Sequence, residues 1–161
     1  MNWNAISAIG QIVGALAVVT SLVYLARQIR TQNKESHIAA MHEIAVAYRE
    51  SNIPFADPIL AEILTRAHKD TDSLTEAEIV QLIVGVQGVF RVWEEAYYQH
   101  VAGRLDQHLW DAMLREYSSY LSAPGFDFVW QLRKNGHNDG FRQFVDELPK
   151  PEYRTRLRPT T

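Results

Sequence analysis

Apolar and polar positions divide this chain into an uncharged opening and a series of capped amphipathic segments. From Asn4 to Ala26 there is no charged side chain, and the polar members (Asn4, Ser7, Gln11, Thr20, Ser21 and Tyr24) are all neutral. At about 1.5 Å rise per residue, this run is long enough to cross a hydrocarbon core as a helix. Residues 27–50 contain neither Pro nor Gly. Ile38, Met41, Ile44, Ala45 and Tyr48 recur on one helical face. The pattern therefore predicts one helix from about Asn4 to Arg49, broken at Ser51-Asn52-Ile53-Pro54.

Shorter periodic segments follow, each with its own start signal. Asp57-Pro58 reads as N-cap and first helical residue of a helix to about His68, with Ile59, Leu60, Ile63 and Leu64 inward. Residues 69–73 read as a loop. Thr75-x-x-Glu78 is a capping box opening a long helix to about Arg104, with Ile79, Leu82, Ile83, Val86, Phe90, Trp93 and Tyr97 on its apolar face. Gly103 marks its end, and Asp106 caps the next helix, Gln107 to Ser122. Pro124-Gly125 reads as a break before a short helix from Phe126, closed by Asn135-Gly136. Asp139 then caps a last helix, Phe141 to Leu148, stopped by Pro149. No segment alternates as a strand would. The fold class expected is all-α, with a long N-terminal transmembrane helix continuing into a cytoplasmic bundle of about five further helices.

The apolar opening has three readings. A cleaved signal peptide wants a basic lead and a shorter core. A buried core helix and a membrane anchor both fit the length, and the flanks favour the anchor. Arg27, Arg30 and Lys34 arrive together on the C-terminal side, where the positive-inside bias acts, so the amino terminus faces out and the body faces the cytoplasm. Trp3 and Tyr24 near the two ends, with that basic cluster, suit the lipid headgroup level. The stretch Ile79–Val92 is apolar too, but it is short and runs into Arg91, Glu94 and Glu95, which fits the central helix of a bundle better than a second span.

Within the anchor, Ser7, Gly10, Gly14, Ala17 and Ser21 are spaced three and four apart and share one narrow face. Small side chains there let another helix approach closely, which is what drives association where lipid is as apolar as leucine. Gln11, at the margin of that stripe, suits a hydrogen bond across a helix interface better than a pore lining. Gly85 and Gly88, inside the capping-box helix, also read as places of close helix packing.

Charge divides the chain into a basic-flanked anchor over residues 1–34, an acidic body over 35–149 and a basic tail over 150–161. The body carries 9 Lys+Arg against 18 Asp+Glu. A protein that binds duplex nucleic acid neutralises phosphates with a basic face, so no nucleic-acid partner is expected. The absence of cysteine excludes disulfides, thiolate metal sites and cysteine nucleophiles. No histidine has a glutamate three residues before it, and neither H-E-x-x-H, a phosphate loop nor a G-x-S-x-G elbow is present. No metal and no cofactor is expected, and no catalytic residue is assigned.

The densest polar constellation is Arg91-x-x-Glu94-Glu95-x-Tyr97-Tyr98-x-His100. One reading is a polar pocket formed by Arg91, Glu94, Glu95 and Tyr98, in which a glutamate acts as acid or base. The other, which we favour, has Arg91 and Glu95 pairing on the surface while Phe90, Trp93 and Tyr97 face the core. Trp93, Trp110, Trp130, Tyr117, Tyr120, Phe126 and Phe128 read as core, although an apolar ligand pocket would draw on the same residues.

The opening W-N-A-I-S-A-I-G-Q-I-V-G-A-L-A-V-V-T-S-L-V-Y-L-A-R-Q-I-R resembles the start of a large uncharacterised family of small bacterial proteins. The later F-R-V-W-E-E-A-Y-Y-Q-H-V-A-G-R-L, Trp110 and the stretch from Pro124 to Trp130 are similar to the same group. The resemblance implies an N-terminal membrane helix and a helical cytoplasmic domain, and it carries over no functional residue. The leading functional expectation is a single-pass, membrane-anchored interaction or assembly module of a bacterial inner membrane. Its expected partners are membrane lipid and either further copies of itself or another membrane protein. The alternatives are a small oligomeric channel built from the first helix, and a ligand sensor or enzyme using the bundle core.

Overall fold

The computed structural model describes residues 3–153, and every regular element among them is helical. Six α-helices follow one another: α1 (Trp3–Asn52), α2 (Pro58–Ala67), α3 (Glu76–Val101), α4 (Gln107–Ser122), α5 (Pro124–Arg133) and α6 (Asp139–Glu147). Short 3-10 turns occupy Ile53–Ala56, Thr71–Ser73 and Lys134–Gly136. The chain divides into two units, Met1–Ala39 and Ala40–Thr161.

The first unit holds the greater part of α1, and its apolar side chains are exposed along its length. Among the described residues α1 alone is long and apolar enough to cross a membrane, and its most apolar window is wholly unburied.

In the second unit the elements start where local chemistry supplies the missing partners of a helix N-terminus. Asp57 Oδ1 accepts from the Ile59 and Leu60 amides at 2.7 and 3.2 Å, and Pro58 needs no partner for its nitrogen. Thr75 and Glu78 form the reciprocal capping box that opens α3. Asp106 caps α4 through the His108 and Leu109 amides. Gly103 ends the α3 exit with φ of 67°, a left-handed conformation that costs glycine least.

Four local expectations need correction. Pro124-Gly125 does not interrupt the chain: it begins α5, because proline at a first helical turn loses no hydrogen bond. Asn138, rather than Asp139, caps α6, accepting from the Gly140 amide at 3.0 Å. α3 stops at Val101, short of Arg104. Ile59 lies outward at 62% exposure, while Leu60 and Ile63 face the core.

The core is built around α3. Leu82, Val86, Val89, Phe90, Trp93 and Ala96 are almost fully buried. The Trp93 ring stacks on Tyr117 of α4 with centroids 4.3 Å apart and planes 8° apart. Phe141 and Val145 of α6 close the same layer, and His100 stacks on Trp110 at 4.5 Å. Five of the seven expected core aromatics are buried, while Tyr120 and Phe128 are half-buried. α5 packs against α2, α3 and α4. Gly85 of α3 allows the close approach of α2, since a Cβ there would fall 2.6 Å from Leu60 Cδ2. Gly88 has more room, with Ser51 Cβ at 3.8 Å.

Candidate functional site

The first group of sequence-selected residues lies on α1. Ser7, Gly10, Gln11, Gly14, Ala17 and Ser21 are all exposed. A Cβ built on Gly10 or Gly14 meets nothing within 4 Å among the described residues. The Ser21 hydroxyl donates to the Ala17 carbonyl at 2.8 Å, and Thr20 donates to Leu16 at the same distance. Both hydroxyls are thus satisfied within their own helix. Trp3 and Tyr24 are 72% and 68% exposed, and Arg27, Arg30 and Lys34 are exposed as well.

The second group lies on α3, where one carboxylate gathers three donors. Arg91 Nη1 donates to Glu94 Oε2 at 2.7 Å, His137 Nδ1 contacts the same oxygen at 2.8 Å, and the Asn138 amide donates to Oε1 at 2.8 Å. Arg91 Nη2 also donates to the Gly136 carbonyl at 3.0 Å. These contacts fasten the turn before α6 onto the side of α3. The His137 side chain is fully buried beside Phe90, Trp130 and Phe141. Its contact with Glu94 places the proton on Nδ1, and Nε2 meets no partner among the described residues.

Arg91 therefore pairs with Glu94, one helical position nearer than the Glu95 expected from spacing. The physical reason is the turn at 136–138, which supplies a carbonyl for Arg91 and two donors for Glu94 on the same side of the helix. Glu95 turns away and accepts from Gln99 Nε2 at 2.8 Å. Tyr98 is 37% exposed and makes no hydrogen bond among the described residues. Of the four residues of the polar constellation, Arg91 and Glu94 bond to each other, and Glu95 and Tyr98 take no part in that contact.

Burial opposes ionisation of Glu94. The Asn138 amide, His137 and Arg91 outweigh it and hold the carboxyl below its ordinary value. A general acid at neutral pH needs the opposite shift. The cluster is thus equipped to hold a fixed anion and to fasten a loop. His137, Asn138 and Gly136 carried no sequence signal for this role, since they lie more than forty positions from Glu94 and match no motif. Among the described residues no three His, Cys, Asp or Glu side chains gather as metal ligands. The chain matches no family model, no curated protein and no solved structure.

Proposed function

We propose that this chain is a membrane-anchored helical interaction or assembly module of a bacterial inner membrane, working as a homo-oligomer or as an accessory subunit. In this reading the amino terminus lies outside and the acidic body lies in the cytoplasm. The observation that carries it is the uncovered apolar surface of α1. Ten Ile, Leu and Val side chains between Ile9 and Ile29 are 48–63% exposed. Half-exposed aliphatic side chains forgo about 1 kcal/mol each, on the order of 10 kcal/mol together. That is comparable with the whole stability of a domain, so this surface calls for lipid or another helix as its cover.

The small-residue stripe favours association over simple anchoring. Gly10 and Gly14 meet nothing among the described residues, so a larger side chain there clashes with none of them. Gly10→Ile and Gly14→Ile are expected to weaken association in a bilayer by pushing a neighbouring helix away. Ile12→Leu and Val19→Leu, on the other side, leave it nearly unchanged. Crosslinking through single introduced cysteines measures both pairs in a chain that has no cysteine of its own. Glycine variants that associate as well as the parent protein would refute the stripe as an interface.

A further inference from the structure

α4 and the α1 residues from Met41 to Tyr48 border a groove of about 200 Å³, lined by Met41, Ile44, Ala45, Leu109 and Met113, with Tyr48 and Glu116 also at its wall. The polar part has an uneven supply of protons. Tyr48 donates to Glu116 Oε1 in a short contact, and Tyr120 donates to the same oxygen at 2.9 Å. The two phenol oxygens also lie 3.1 Å apart. Three oxygens thus make three contacts with only two hydroxyl protons, so the cluster has a surplus of acceptors. Glu116 Oε2 receives no hydrogen bond, and no Lys, Arg or His lies within ion-pair distance of Glu116 among the described residues. Burial and the neighbouring carboxylate raise the ionisation of both tyrosines above the ordinary phenol value, so their oxygens stay neutral.

We propose that this groove binds a small organic ammonium ion, its charged nitrogen on Glu116 and its carbon chain along Met41, Ile44, Leu109 and Met113. An ammonium supplies the donors that the oxygen cluster lacks, and Tyr48 stands at the same wall of the groove. The apolar lining requires carbon next to the nitrogen. A phospholipid headgroup sets a phosphate two carbons from its ammonium, and that anion would lie against methionine and leucine. The volume is below that of sites for drug-sized ligands, which run to about 300 Å³ and above, so a free amine with a short chain fits best.

The chain contains three methionines, Met1, Met41 and Met113. Labelling their methyl carbons gives the full protein in nonionic detergent three NMR signals, two of them from the groove. Hexylammonium is expected to shift the Met41 and Met113 signals saturably. Hexanol, equally apolar, is expected to bind at least about tenfold more weakly, because it offers one neutral donor where the ammonium offers three charged ones. Glu116→Gln should weaken hexylammonium by a similar factor and leave hexanol unchanged. Glu116 is exposed, and the unliganded methionine shifts verify that the variant keeps its fold. Equal affinity for hexanol and hexylammonium would overturn the proposal, as would undiminished binding by Glu116→Gln or a failure of Met41 and Met113 to shift. Tyr48→Phe gives an independent check, with a smaller loss expected from removal of one hydroxyl.

Discussion

Replacing Glu94 by Gln tests whether the Arg91–Glu94–His137 cluster fastens the α6 turn. The substitution keeps the shape and removes the charge. The His137 contact suffers most, since a hydrogen bond to an ionised partner contributes about 1.5–3 kcal/mol and the imidazole here is fully buried. The Asn138 amide keeps an acceptor but loses its charge assistance, at a cost of about 1 kcal/mol. Arg91 is 49% exposed and adds only a few tenths. Together these losses come to about 3 kcal/mol, or roughly 10 °C in melting temperature for a body of this size. Circular dichroism of the full chain in nonionic detergent measures it.

The dependence on pH gives that experiment a second arm. The Glu94 carboxyl is held below its unfolded value, so its contribution is complete above the ordinary carboxylate range. It is lost as pH falls through the lower, folded value. The gap between parent and Glu94→Gln is therefore full at pH 7 and closes in strong acid. His68, whose burial lowers its own pKa, titrates in both proteins and cancels in the difference. A gap under about 0.5 kcal/mol at pH 7, or one that persists undiminished in strong acid, would refute the reasoning.

Gly125→Ala is expected to destabilise by about 1–3 kcal/mol in spite of alanine's better helix propensity, because its Cβ would lie 3.0 Å from both Ala67 Cβ and His68 Nδ1; urea titration reads the loss, and an unchanged midpoint would contradict it. A reporter fused after Thr161 is expected to be active only as a cytoplasmic reporter, given Arg27, Arg30 and Lys34; periplasmic activity would reverse the topology. Deleting residues 1–26 is expected to release a helical, acidic body from the membrane fraction, and retention that survives high salt would point to a second membrane contact.

Helix existence and type were legible because each start carries its own chemistry: Asp57-Pro58, Thr75 with Glu78, and Asp106 all act locally. The errors fall where two local signals compete. Asn138 and Asp139 are both good caps, and the turn that presents Asn138 to Glu94 decides between them. Pro-Gly punctuates loops as readily as it opens helices, and only the close approach of Gly125 to Ala67 and His68 separates those roles. The polar cluster was half legible. Arg91 and Glu94 stand out on α3, but His137 becomes their partner only when α6 folds back. Glu116 offered still less, since a carboxylate on an amphipathic helix is ordinary until Tyr48 and Tyr120 meet on it.

The joint between α2 and α5 also bears on the order in which the body assembles. The Gly125 amide donates to His68 Nδ1 at 3.1 Å across 57 positions of sequence, and Tyr48 reaches Glu116 across 68. By contrast, α3 to α4 and α4 to α5 are hairpins between sequence neighbours. Closing the longer loops costs more chain entropy, by about 0.6 kcal/mol for each doubling of length. Contacts between neighbouring helices, α2 on α3 included, are thus expected to form the folding nucleus, with the α2–α5 joint closing after the main barrier. In stopped-flow measurements Gly125→Ala would then leave the refolding rate almost unchanged and accelerate unfolding, so the same glycine that fits α5 against α2 sets how long the folded body lasts.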